Sequence, residues 1–78
     1  ESFSDVVAGH LFFDIFVDFW AENGPTEARE VFKKLPGGGT LHCGRLWARG
    51  EPRGPDSWPI SMFKFLRRVF KIRFPLFG

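Results

Sequence analysis

A second cysteine is missing from this chain. Cys43 stands alone among 78 residues, so no internal disulfide can close and no CxxC pair exists for zinc or thiol exchange. Tyrosine is absent too, and the aromatic load of eleven Phe and three Trp therefore brings apolar area with no phenolic hydroxyl to face water. No apolar run reaches the roughly 18 residues a membrane span needs. The best stretch, residues 6–21, carries Asp14 and Asp18 near its middle, which rejects a transmembrane reading. The first residue is Glu1 and not Met, which leaves a removed targeting peptide and a fragment both open.

These absences set a stability problem. A chain of this length is one domain at most and buries only about 60% of the surface its unfolded form exposes. Without a disulfide, stability has to come from a partner or from dense packing. The Phe residues form two groups, Phe3, Phe12, Phe13, Phe16 and Phe19 in front and Phe63, Phe65, Phe70, Phe74 and Phe77 behind. Either the groups pack on each other, or one of them faces a membrane or another protein.

The net charge of +2 conceals a polarity. Residues 1–30 hold seven acids against Arg29, a balance of −6, while residues 31–78 hold ten Lys and Arg against Glu51 and Asp56, a balance of +8. The halves can attract one another or address different partners.

Periodicity predicts a mainly α fold of two or three helices, at about 4–23, 26–35 and 61–74. Ser4 is the expected N-cap of the first, Thr26 of the second and Ser61 of the third. Gly24-Pro25, Pro36 to Gly39, and Pro75 are the expected stops. Residues 37–59 read as a long irregular connector rich in Gly and Pro, with a short hairpin near 40–49 as the only strand material. The whole reads as a single small domain or subunit over 1–78.

In the first helix, His10, Asp14, Asp18 and Glu22 recur every fourth residue and mark one narrow wet edge, with apolar residues over most of the rest. The row offers nitrogen and oxygen ligands, but only His42 and Cys43 remain to complete a metal shell. Amphipathicity alone accounts for it, so no metal and no cofactor is expected. His42 and Cys43 are adjacent and point in different directions in a strand, which disfavours a nucleophile and base pair. In "KKLPGGGT" the lysines precede the glycines, the reverse of a phosphate-binding P-loop. No catalytic residue is expected, and no small-molecule substrate is evident.

The last helix carries the strongest feature. Met62, Phe63, Phe65, Leu66, Val69, Phe70, Ile72 and Phe74 share a broad face, and Lys64, Arg67, Arg68 and Lys71 occupy the opposite arc. Such a helix can lie on an anionic membrane, offer its cations to nucleic acid together with Arg45, Arg49 and Arg53, or pack inward with a solvated basic face. The expected function is a non-enzymatic accessory subunit of a larger, membrane-associated assembly. Its expected contacts to other protein subunits or lipid are Phe12, Phe16, Phe19, Trp20, Trp47, Trp58, Phe63, Phe70 and Phe74. Lys64, Arg67, Arg68 and Lys71 are expected to meet an anionic surface. The alternative is a ribonucleoprotein module binding nucleic acid through the basic half. The compartment stays open; a lone cysteine suits a reducing one or an organelle.

Overall fold

The computed structural model describes residues 3–74. Four helices follow one another as α1 (Phe3–Asn23), α2 (Pro25–Lys33), α3 (Gly39–Ala48) and α4 (Ile60–Arg73), with no strand among the described residues. The mainly helical expectation holds, with one helix more than the two or three expected. The stop expected at Pro75 and the ring of Phe77 lie outside the described residues.

The added helix is α3, where the sequence suggested a hairpin inside a connector. Cys43, Gly44 and Trp47 are its buried residues. Their spacing of one and then three is that of a helix face and not of an alternating strand. The irregular part of the expected connector is thereby reduced to 37–38 and 49–59, and the longer piece is 49–59. It stays ordered through two indoles, because Trp47 Nε1 donates to Arg53 O at 3.0 Å and Trp58 Nε1 donates to Val31 O at 2.9 Å. Both rings are buried and both N–H groups are satisfied, as buried indoles require.

The expected caps are replaced by other devices. Ser4, expected just before the first helix, lies within α1 as described. α2 begins at Pro25, a position where the missing N–H and the fixed φ of proline favour a helix start. Gly24 makes the single-residue turn before it at φ +93°, a region that L side chains rarely adopt. α4 begins at Ile60 behind Pro59, and Ser61 Oγ instead donates to Glu27 Oε2 at 2.8 Å, tying α4 to α2.

α1 is the central element and packs chiefly on α3. The approach is close enough that a Cβ on Gly44 would lie 2.0 Å from the carbonyl oxygen of Ala8. Ala8, Phe12, Ile15, Phe16 and Phe19 form its buried face. The buried members of the two Phe groups do pack on each other. Phe12 stacks on Phe16 and on Trp47, with centroids 5.6 and 5.0 Å apart, and Trp47 meets Trp58 and Phe70 edge-on. Phe19 meets Phe65 at 5.4 Å. Dense aromatic packing of this kind is worth about 0.5–1.5 kcal/mol per pair beyond area burial, and it supplies what the missing disulfide does not.

The acidic front also meets the basic back. Arg73 Nη2 lies 3.3 Å from Asp18 Oδ2, Arg68 pairs with Glu22, and Arg45 Nη2 donates to Asp5 Oδ1 at 2.6 Å. On α1 the pairs to α4 come from Asp18 and Glu22, the second half of the wet edge.

Candidate interaction surface

Most of the residues expected to contact a partner are inside. Phe12, Phe16, Phe19, Trp47, Trp58 and Phe70 belong to the core, and Phe63 and Phe74 are half-buried against it. A thin core needed them, so the expectation that they form an outer surface is corrected. Trp20 alone of that set is exposed.

The apolar surface instead lies on the other side of α1. Phe3, Val6, His10, Phe13, Val17 and Trp20 are all exposed, at 83% for Phe3, 65% for Phe13 and 50% for Trp20. Their spacing is three, four, three, four, three, the period that keeps one seam in line along a helix. At 1.5 Å per residue the seam is about 26 Å long. The sequence carries this spacing, but it also carries the inward row at Phe12, Ile15, Phe16 and Phe19, and only the placement of the other helices shows which of the two faces out.

α2 widens this surface. Phe32, 53% exposed, lies 5.7 Å from Phe16, so α2 runs back antiparallel beside α1. Between the two helices Phe16, Trp20, Pro25, Ala28, Arg29 and Phe32 line an open groove of about 290 Å³. The stripe therefore has a cationic border, Arg29 and Lys33 on α2, and an anionic border, Asp14 and Asp18 on the far edge of α1. Of these four, only Asp18 is paired among the described residues, with Arg73.

A second, separate surface is the outer ridge of α4. Ile60, Lys64, Arg67 and Lys71 follow at helical spacing and are exposed, and the three cations have no acidic partner among the described residues. Arg68 sits beside them, paired with Glu22 and lying over the Phe65 ring at 5.5 Å. The apolar face of α4 is buried at Met62, Phe65, Leu66 and Phe70, while Ile72 departs from the expected pattern and is exposed.

The chemistry-bearing residues do not converge. No group of three or more His, Cys, Asp or Glu among the described residues could hold a metal ion. His42 is exposed and its neighbour Cys43 is buried, so the pair is divided between solvent and core. Burial pushes the Cys43 thiol up to about 11 and keeps it protonated, which removes it as a nucleophile near neutral pH. Lys34 is engaged, donating to Ser57 O at 3.2 Å and pairing with Glu30 at 3.4 Å. No described helix is long and apolar enough to cross a membrane.

No protein-family model matches the chain, and no curated protein or solved structure is significantly similar to it.

Proposed function

We propose that this chain is a non-enzymatic interaction protein, a small accessory subunit that docks onto other protein through the outer face of α1 and α2. One observation carries the reading. A chain that has filled its core with aromatic rings still leaves Phe3, Phe13, Trp20 and Phe32 in water, on one continuous face. Contiguous apolar surface of this kind, rimmed by charge, is the mark of a docking site. A larger, membrane-associated assembly is the proposed setting, supported by the apolar outer face of α1 and α2 and the exposed basic ridge of α4. The contact to lipid would be electrostatic, since α4 spends its apolar face on its own core.

The test compares the wild-type chain with a Phe13→Ser/Trp20→Ser variant as bait in a lysate of the source cell. Partners retained by the wild type and lost by the variant are the expected result, with helical circular dichroism unchanged. The same retained set with both baits refutes the reading.

A nucleic-acid module stands second, favoured by the free ridge of Lys64, Arg67 and Lys71. It would show as RNA or DNA binding whose logarithm falls linearly with the logarithm of salt.

A further inference from the structure

We infer that the occupant of the α1 seam is a second copy of this chain, joined in a two-fold dimer with the two α1 helices parallel and in register. The inference rests on the docking reading above and names its partner. Three observations select a second copy in this orientation.

The first is the period. Phe3, Val6, His10, Phe13, Val17 and Trp20 repeat at the three-four spacing that lets two helices interdigitate along their length. Apolar burial in a core does not demand that regularity on a face that is already outside.

The second is the charge on the borders. α2, with Arg29 and Lys33, lies on one side of the stripe, and Asp14 and Asp18 lie on the other. A two-fold axis parallel to α1 carries α2 of one copy over the acidic edge of its mate. The heights agree, because Phe32 is level with Phe16 and Arg29 with Trp20. Lys33 therefore faces Asp14 across the interface, the acid of that border with no ion pair among the described residues, while Asp18 is already held by Arg73 of its own chain. An antiparallel pairing sets cation on cation and acid on acid, and like charges across an interface oppose it. The in-register parallel pairing also sets His10, the one polar seam residue, opposite itself, where an antiparallel pairing sets it against Phe13. A polar residue at one seam position is a known means of fixing register.

The third is area. With roughly 150–250 Å² per aromatic side chain, the exposed parts of Phe3, Val6, Phe13, Val17, Trp20 and Phe32 come to roughly 600 Å² per copy. A standard interface uses about 800 Å² per partner. The charged borders supply the difference, which places the dimer at the smaller end of stable interfaces.

The experiment uses the purified full chain in sedimentation equilibrium from about 5 to about 200 µM, a range suited to an interface of this size. Expected are a concentration-dependent dimer and a Phe13→Ser/Trp20→Ser variant that stays monomeric with unchanged helical content. Val17→Cys should cross-link to itself under mild oxidation, since in register residue 17 meets residue 17. Asp14→Lys should weaken the dimer about fivefold or more, and Asp14→Lys combined with Lys33→Glu should restore it, as expected for a facing charge pair.

A monomer at all these concentrations overturns the dimer. So does a dimer that survives Phe13→Ser/Trp20→Ser, or one that forms without the Val17→Cys cross-link. A monomer that floats with neutral phosphatidylcholine vesicles, and loses this with the double substitution, overturns it in favour of lipid. If the chain is monomeric while lysate partners still depend on Phe13 and Trp20, the second copy is wrong and the docking face stands. If the double substitution changes neither, both fail.

Discussion

Gly44 is the position where a single methyl group decides whether α1 and α3 can touch. A Cβ there would stand 2.0 Å from the Ala8 oxygen and 2.6 Å from its carbonyl carbon. These are backbone atoms, which cannot step aside by changing rotamer. Gly44→Ala is expected to cost about 3 kcal/mol or more, at the upper end of overpacking substitutions, measured as a lower urea midpoint. Ala8→Gly should not rescue it, because the obstacle is the carbonyl and not the Ala8 side chain. Cys43, one residue earlier, acts through pH. Burial raises its thiol from 9.0 to about 11, so between these values the unfolded chain has released a proton that the folded chain keeps. Its contribution is present in full below about pH 9 and is lost as pH rises through about 11. Urea titrations at pH 8 and pH 11 should show a larger alkaline loss for the wild type than for Cys43→Ala. Equal losses would mean that the thiol is not what titrates.

Among elements, α1, α2 and α4 were legible in the sequence and α3 was not. α1 and α4 each carry a continuous apolar face over many turns, and periodicity of that length survives a few wrong caps. α3 is ten residues long with Gly39 and Gly44 in it, and its inward face of Cys43, Gly44 and Trp47 needs the close approach of α1 to become visible as a face. Local propensity pointed to a hairpin, and tertiary packing overrode it. The caps failed for a related reason: Ser61 was free to bond Glu27 because Pro59 already sets the start of α4. The site divides in the same way. The basic arc of α4 was readable as a solvent face, whereas which of α1's apolar residues faced out depended on where α2, α3 and α4 were placed. α4 supports an element-level prediction. Its pairs Arg68 to Glu22 and Arg73 to Asp18 are exposed, so Glu22→Gln should shift stability by less than about 1 kcal/mol. The ridge itself should matter for polyanions and not for folding. Replacing Lys64, Arg67 and Lys71 together by Glu should lower the salt needed to elute the chain from immobilised heparin, with helical circular dichroism unchanged. Elution at the wild-type salt would remove the ridge as an anionic contact.

At the scale of the whole molecule, the question is whether folding needs the partner that the outer face invites. The radius of gyration is 11.8 Å, close to the roughly 11 Å expected of a compact chain of this length. Trp47, Phe19, Ile15, Met62 and Leu66 are fully enclosed within one chain, and no buried side-chain nitrogen or oxygen among the described residues lacks a hydrogen-bond partner. An interior so complete does not wait for a second molecule. The seam residues, by contrast, touch the core only at its margin, so their burial adds to a fold that already exists. Folding and association should therefore separate on dilution. At about 1 µM, below the range expected for an interface of roughly 600 Å² per copy, tryptophan fluorescence should report a cooperative urea transition, with an m-value of about 1 kcal/mol/M as for other small domains. At about 100 µM the midpoint should rise, because whatever binds only the native state stabilises it by mass action. The Phe13→Ser/Trp20→Ser variant should unfold cooperatively at both concentrations with one midpoint. A broad, uncooperative transition at 1 µM would instead make the chain an obligate subunit, whose interior forms only when the outer face is covered.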